Sequence, residues 1–224
     1  MIIQTSEGDR MQRKILLIGA GGIGGLLAIF VIKAITKSGL KKDVSLTIMD
    51  GDIVEERNLP HQFFSDDDIG KSKVDALVNW MNISSLLEDT GLDVITMKRD
   101  FSDDFALGEY HLVIVAVDRE KPRKSVHKNA SQWLDLRARA DGFVMWSCVD
   151  DYHILCSLPE LEGGQSASCQ LEGAVEIGNI QFGFALAAAH GAQWVIQWLR
   201  EANVPAGRIY SAHMGELPYP EVRK

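Results

Sequence analysis

The stretch KILLIGAGGIGGLLAIFVIKAITKSGL (residues 14–40) decides the fold class of this 224-residue chain. It begins as a short apolar run, passes through closely spaced glycines and continues as a dense apolar segment. This order predicts a buried strand, a tight turn and a buried helix that ends at Gly39. A strand joined to a helix by glycines is the first unit expected of a βαβ fold.

The segments that follow repeat the alternation of strand and helix. VSLTIM (44–49), DVITMK (93–98) and HLVIVAV (111–117) predict buried strands, and KSKVDALVNWMNISSLL (71–87) predicts a helix. A second helix is predicted for RKSVHKNASQWLDLRARA (123–140), with Pro122 in its first turn. We therefore expect an α/β, Rossmann-like fold with a mainly parallel sheet flanked by helices, whose nucleotide-binding half spans residues 1–140.

The pattern changes in residues 141–224. FVMWSCV (143–149) and YHILCSL (152–158) predict a β-hairpin, followed by a crossover loop rich in glycine and serine. Residues 179–200 form the longest helical pattern, in which Trp194 and Trp198 share one face and are expected in the core. Without a repeat or an evident linker, we expect a single domain over residues 1–224, with residues 141–224 as a C-terminal, partner-binding elaboration.

Composition excludes several classes of protein. Lys and Arg number 23 against 31 Asp and Glu, so the net charge of −8 disfavours binding to nucleic acid or anionic membranes. The chain lacks an export signal and an apolar run of the ~20 residues that span a bilayer, which indicates a cytoplasmic protein. The three cysteines, Cys148, Cys156 and Cys169, contain no CxxC pair, so free thiols are expected.

Glycines and a carboxylate indicate an adenine nucleotide. Gly19, Gly21 and Gly24 form GxGxxG between the first strand and helix, where a phosphate can approach the backbone. Asp50 directly follows the second strand, where a carboxylate can accept hydrogen bonds from ribose hydroxyls. A nicotinamide-dependent oxidoreductase would explain this pair of features.

Hydride transfer does not explain the polar residues that follow. Asn58, His61 and Gln62 lie in the loop after Asp50, Lys73 opens a predicted helix, and Asp118 ends a later strand. Amides, a lysine and a carboxylate at strand ends suit a triphosphate with Mg²⁺, because the carboxylate takes the cation and the others neutralise phosphate oxygens. Asp118 is thus the candidate metal ligand.

Taken in order, these segments resemble the ThiF/MoeB/HesA adenylyltransferases, bacterial relatives of ubiquitin-activating enzymes. The resemblance rests on GAGGIGG (19–25), MDGDIVEERNLPHQF (49–63), DIGKSKVDAL (68–77), VIVAVD (113–118), CSLPE (156–160) and the segment 169–199, in the family's order. It covers residues 14–199. The resemblance implies ATP- and Mg²⁺-dependent adenylation of the C-terminal carboxylate of a ubiquitin-like or sulfur-carrier protein, usually ending in Gly-Gly, by a homodimer.

The resemblance also implies roles for single residues. Gly21 and Gly22 would face the phosphates, Asp50 the ribose, and Lys73 the α-phosphate. The remaining implied ligands are Asp52 beside Asp50, Asn58, His61 and Gln62 along the phosphates, and Asp118 on Mg²⁺. Cys169 aligns with a cysteine that takes part in acyl or persulfide transfer in some members. A glycine- and serine-rich loop predicts an exposed, reactive thiol there, and a surface thiol without a role is the alternative.

The sequence departs from the family pattern at three places. His61 stands where the family has an arginine, and Arg57 is the nearby candidate to compensate. The family's N-terminal helix with its arginine is replaced by a segment with Arg10 and Arg13. Of the family's two zinc-binding CxxC pairs, the first appears as His153 and Cys156 and the second is absent, so zinc is not expected even with His213 as a third ligand. A nucleotide-binding subunit that needs an active partner is therefore the alternative function, ahead of the oxidoreductase.

Overall fold

One sheet organises the chain. The computed structural model describes residues 12–38, 43–88, 91–150 and 169–218. Within these ranges eight strands lie in the order β3-β2-β1-β4-β5-β6-β7-β8. Their bounds are β1 Arg13–Ile18, β2 Val44–Met49, β3 Asp93–Met97, β4 Leu112–Val115, β5 Trp133–Arg139, β6 Gly142–Ser147, β7 Arg208–Ser211 and β8 Gly215–Leu217.

The first five strands are parallel and the last three run antiparallel. β1 pairs in parallel with β2 and β4, which pair in parallel with β3 and β5. β6, β7 and β8 continue the sheet in antiparallel order from β5. β2 is buried along its whole length, as expected for a strand covered on both faces. The α/β, Rossmann-like prediction is confirmed.

Four helices cover the two faces of the sheet in the described part of the chain. They are α1 Gly22–Ser38, α2 Lys73–Ile83, α3 Glu120–Asn129 and α4 Gly183–Leu199. Alternate residues of β1 divide the core: Ile15 and Leu17 pack in the cluster that includes α1, α2 and α4. Leu16 and Ile18 point to the other face, where Val126 of α3 packs. None of the helices so described is long and apolar enough to cross a membrane.

The prediction of one helix over residues 123–140 is wrong beyond Asn129. Ala130 is extended, and residues 133–139 form β5 between β4 and β6. The strand signal was the alternation of Leu134, Leu136 and Ala138 with charged residues, a period of two that is typical of a strand. The carboxylate of Asp135 is buried there by ion pairing.

The C-terminal predictions are confirmed in part. FVMWS lies in β6, which pairs with β5 and β7. The expected hairpin partner at 152–158 and the loop up to residue 168 lie outside the described residues. α4 confirms the long helix, and Trp194 is fully buried in it. The hairpin of β7 and β8 was not predicted.

Candidate active site

The turn between β1 and α1 is built by glycines at two positions. Gly19 has φ of 105°, in the left-handed region that favours glycine, and a Cβ there would lie 2.6 Å from the carbonyl oxygen of Ala116. A Cβ on Gly24 would lie 1.9 Å from the carbonyl oxygen of Gly19. Both positions therefore exclude larger residues, and the helix begins close against the sheet, as the GxGxxG spacing predicts.

The middle glycines face the loop that follows β2. A Cβ on Gly21 would meet only the Gln62 amide at 3.7 Å or more, whereas Gly22 is covered by the carbonyl oxygen of His61 and the ring of Phe184. Gly21 is half-buried and Gly22 is buried. Gly21 is therefore the more open of the two positions predicted to face phosphate.

Asp50 fastens this glycine turn to the end of β2. Its Oδ2 accepts a hydrogen bond from the backbone N–H of Ala20 at 2.7 Å, and its Oδ1 accepts one from Asp52 N–H at 2.8 Å. Burial raises the pKa of Asp50 despite these two bonds and the nearby Lys73. Each oxygen keeps a second lone pair, so the carboxylate can still accept a hydrogen bond from a ribose hydroxyl.

Lys73 is a buried cation with one carboxylate partner on the adjoining loop. Its side chain is 9% exposed, and Nζ lies 2.9 Å from Oδ2 of Asp52. The backbone N–H of Lys73, the first residue of α2, also donates to the carbonyl oxygen of Asp52 at 3.0 Å. The carboxyl end of β2 and the start of α2 are thereby joined, and Asp52 balances the charge of Lys73.

Asn58 shapes the loop between these two elements. It is buried, and its Oδ1 accepts from the N–H of Glu55 at 2.9 Å. Its carbonyl oxygen accepts from the N–H groups of Gln62 at 2.9 Å and His61 at 3.2 Å. The side chain predicted to line the phosphate path therefore also fixes the conformation of the loop.

His61 and Gln62 each keep a buried polar atom without a partner. These atoms are Nδ1 of His61 and Oε1 of Gln62. Buried polar atoms are normally hydrogen-bonded, so the unpaired Oε1 of Gln62, which lies beside the open side of Gly21, is typical of a ligand contact. Rotation of the Gln62 amide by half a turn would point its N–H₂ instead, as a phosphate oxygen requires. Burial and the charge of Lys73 lower the pKa of His61, which favours the neutral imidazole.

Asp118 and Arg119 extend the same edge after β4. Asp118 is exposed and immediately precedes Arg119. One guanidinium nitrogen of Arg119 lies 3.4 Å from Asp100 and 3.9 Å from Asp52. Ion pairs therefore connect the loops that follow three of the parallel strands, β3, β2 and β4. The sequence analysis missed Arg119, although its position next to Asp118 was a usable signal.

An open cavity of ≈ 270 Å³ adjoins these residues. Three predicted site residues, Asp52, Asn58 and Lys73, line it, together with Gly51, Ile53, Glu55 and Arg57. Arg57, the candidate to compensate for His61, pairs with Glu55 and is largely exposed. The cavity places the loop after β2 beside the buried lysine, where a polar ligand has access to both.

Cys169 is not the exposed thiol that we expected. The residue is half-buried and packs against the core cluster that contains α1 and α4. Burial raises the pKa of its thiol to about 11, although the charge of Arg123 acts in the opposite direction. A thiol with this pKa carries almost no thiolate at neutral pH, and the role of Cys169 in group transfer stays a prediction.

Other sequence predictions fall partly outside the described ranges. His153, Cys156 and Arg10 lie outside them. Arg13 is described, and it bonds to the carbonyl oxygen of Leu199 and to Glu201 rather than to the site. In residues 12–38, 43–88, 91–150 and 169–218, no three His, Cys, Asp or Glu side chains converge as metal ligands.

Solved structures that are 17–18% identical to this chain share its fold. PaaA matches with a TM-score of 0.61 and 18% identity over 93% of this chain and 64% of that chain. MccB of E. coli matches with a TM-score of 0.63 and 18% identity over 92% and 62%, and its complex with ATP with 0.57 and 17% over 94% and 64%. The chain thus spans less than two thirds of these structures. Among curated proteins, none matches the chain significantly.

Membership of a family follows from the sequence profile, which covers nearly the whole chain. The resemblance found in the glycine turn, the Asp50 loop and the Lys73 helix extends beyond these motifs to residues 8–223, which match the profile of the ThiF family. The chain belongs to the ThiF family.

Proposed function

We propose that the protein uses ATP to adenylate a carboxylate of a peptide or small protein. The carboxylate oxygen attacks the α-phosphorus of ATP, the bond from the α-phosphorus to the bridging oxygen breaks, and pyrophosphate leaves with both electrons of that bond. The products are an acyl-adenylate and pyrophosphate. The observation that carries this proposal is Lys73, a buried cation held at the carboxyl edge of the sheet beside the glycine turn.

The residues at this edge suit a displacement at phosphorus. Such a reaction needs positioning and charge neutralisation more than a covalent group from the enzyme. Lys73 supplies a charge that phosphate oxygens can take over from Asp52, whose side chain is half exposed. Gly21 offers an open approach to the backbone with Gln62 beside it, and His61 and Gln62 each keep an unpaired polar atom.

The donor set also fits a magnesium ion brought in by the nucleotide. Mg²⁺ is commonly bound by one or two carboxylates together with phosphate oxygens and water, rather than by a complete protein cage. Asp118 is an exposed carboxylate at the correct edge, and the described residues contain no larger cluster of ligands. We assign Asp118 as the residue that holds the ion, which would neutralise phosphate charge when bound.

The acceptor is proposed from the family and its structural neighbours. MccB has been solved with MccA and with ATP, so one protein of this fold takes a nucleotide and a gene-encoded partner. For this chain we propose a peptide or small protein with a free C-terminal carboxylate. A ubiquitin-like or sulfur-carrier protein ending in Gly-Gly is the specific candidate from the sequence. The homodimer and the cytoplasmic location stay predictions.

Exchange of labelled pyrophosphate into ATP tests the chemistry directly. The full chain is incubated with ATP, Mg²⁺ and candidate acceptors, beginning with small proteins or peptides encoded beside its gene. Exchange that depends on the acceptor is expected, and Lys73→Met should abolish it because the buried charge is lost. Lys71→Met is the matched control, since Lys71 lies two residues away, is exposed and pairs with Asp68. Full exchange in Lys73→Met would overturn the role of Lys73.

His61 supports a second candidate, a nucleotide-binding subunit that depends on a partner. A neutral imidazole is a weaker ligand for phosphate than an arginine, which is always charged. His61→Arg should therefore increase exchange if the chain acts alone. If the protein binds ATP but neither the wild type nor His61→Arg exchanges pyrophosphate until another protein is added, the partner-dependent function is the correct one.

A further inference from the structure

A buried ion cluster lies directly behind the turn that carries Asp118. The carboxylate of Asp135 on β5 is fully buried and is bound by Arg123 from α3, by Arg137 at 2.8 Å and by Nε2 of His127 at 3.0 Å. Glu120 adds a second carboxylate, 2.7 Å from Nη1 of Arg137. These five side chains form the Asp135 cluster.

Two side chains of the Asp135 cluster bind the residues on either side of Asp118. A guanidinium nitrogen of Arg123 donates to the carbonyl oxygen of Val117, the residue before Asp118. Arg137 binds the side chain of Glu120, two residues after Asp118. Two side chains that bind Asp135 of β5 therefore also hold the carbonyl oxygen just before Asp118 and the carboxylate of Glu120 just after it.

The charges of the Asp135 cluster balance. Two guanidinium groups face two carboxylates, while burial and both arginines lower the pKa of His127 to about 4, so its imidazole is neutral at pH 7. Burial and Arg137 lower the pKa of Arg123 to about 9, which leaves the guanidinium charged. A balanced, multiply bonded cluster has one low-energy geometry, because each displacement leaves a buried charge without its partner.

We propose that Glu120 and Arg137 are positioning residues. They orient the Asp118 carboxylate for the magnesium ion of MgATP by holding the turn that carries Asp118. This inference rests on the proposed function. Residues outside the ligand set commonly act in this way, since they restrict the ligand to the orientations that bind. The sequence reasoning could not find this pair, because it placed Arg137 on a helix.

The test uses two variants of the pair: Glu120→Gln weakens only the tie between Glu120 and Arg137, whereas Arg137→Gln also removes a partner of Asp135. Side chains of Glu120 and Arg137 are 21% and 22% exposed, so Glu120→Gln and Arg137→Gln are expected to fold, unlike changes at Asp135. Arg139→Gln is the matched control, because Arg139 lies on the same strand and the same face but is exposed. Arg137→Lys restores the charge with a single donor group.

Metal binding is measured on the full chain by electron paramagnetic resonance of Mn²⁺ in the presence of ATP, with the melting temperature recorded in parallel. Glu120→Gln and Arg137→Gln should each weaken Mn²⁺ binding to the ATP complex by ~10-fold, the usual effect of such partners. The double variant should be no weaker than the worse single one. Arg137→Lys should recover part of the loss, and Arg139→Gln should bind as the wild type does.

Three results would contradict the positioning role of Glu120 and Arg137. Wild-type Mn²⁺ affinity in both variants, with or without a lower melting temperature, would show that the pair is only structural and overturn the positioning role. Equal weakening in Arg139→Gln would also overturn it, because the effect would then come from net charge. A wild type that binds neither ATP nor Mn²⁺ with ATP would overturn the proposed function itself, and the positioning role with it.

Discussion

His127 should make the stability of the protein depend on pH. Its ring stacks on Trp133 with 4.0 Å between centroids and donates from Nε2 to the buried carboxylate of Asp135. Burial, together with Arg137 and Arg123, lowers its pKa from 6.5 to about 4. As the pH falls below 6.5, His127 is protonated in the unfolded chain but stays neutral in the folded protein, so stability is lost progressively until about pH 4. Between neutral pH and about pH 5 the loss is about 2 kcal/mol, at 1.36 kcal/mol for each pKa unit.

Chemical denaturation of His127→Gln against the wild type measures this contribution. Glutamine keeps a neutral N–H donor for Asp135 and does not titrate, so other groups contribute equally to both proteins. The free energy of unfolding should fall between about pH 7.5 and pH 5 by about 2 kcal/mol less in the variant than in the wild type. Equal losses in the two proteins would refute the argument, because His127 would then take up its proton equally well in the folded and unfolded chain.

Three further predictions concern the edge of the sheet. Gly24→Ala should lower the free energy of unfolding by at least about 3 kcal/mol, because the added Cβ meets a backbone oxygen. Gly25→Ala, whose Cβ makes ordinary contacts, should stay within about 1 kcal/mol of the wild type, and chemical denaturation measures both. Arg119→Gln should weaken MgATP binding by ~10-fold in calorimetry through the loss of a charged donor, while Lys121→Gln should not; equal effects would exclude a specific role. Cys169→Ser should keep the wild-type rate of pyrophosphate exchange. Alkylation of Cys169 at neutral pH, which mass spectrometry locates, should be far slower in the folded protein than in the unfolded one. Rapid labelling of the folded protein would contradict the raised pKa.

Much of the edge could be predicted from the sequence because local patterns determine it. Gly19 and Gly24 are required by a turn with almost no space, and that requirement is visible as spacing alone. Asp50 and Lys73 follow directly from where a buried strand ends and a helix begins, and parallel strands bring such ends together. The fold class and the gathering of these residues were therefore predictable without tertiary information.

The remaining features depend on contacts between distant segments. Asp135 and Arg137 look like the polar positions of an exposed helix until Arg123, His127 and Glu120 are placed around them. The burial of Cys169 is likewise set by packing against the core, although its sequence surroundings are small and polar. In both cases residues far apart in the chain decide the environment, so no short pattern could reveal it.

The two charges proposed to act on ATP are prepared in opposite ways. Lys73 is buried but its partner Asp52 is half exposed, so the pair can open outward and exchange a carboxylate for a phosphate without moving the helix. Asp118 is itself exposed, but its turn is fixed from the interior by Arg123 and the other buried side chains of the Asp135 cluster. This combination suits a site that must admit a highly charged nucleotide. Entry requires that phosphate replace the half-exposed counter-ion Asp52 on Lys73, while alignment requires that Asp118 be held in a fixed turn.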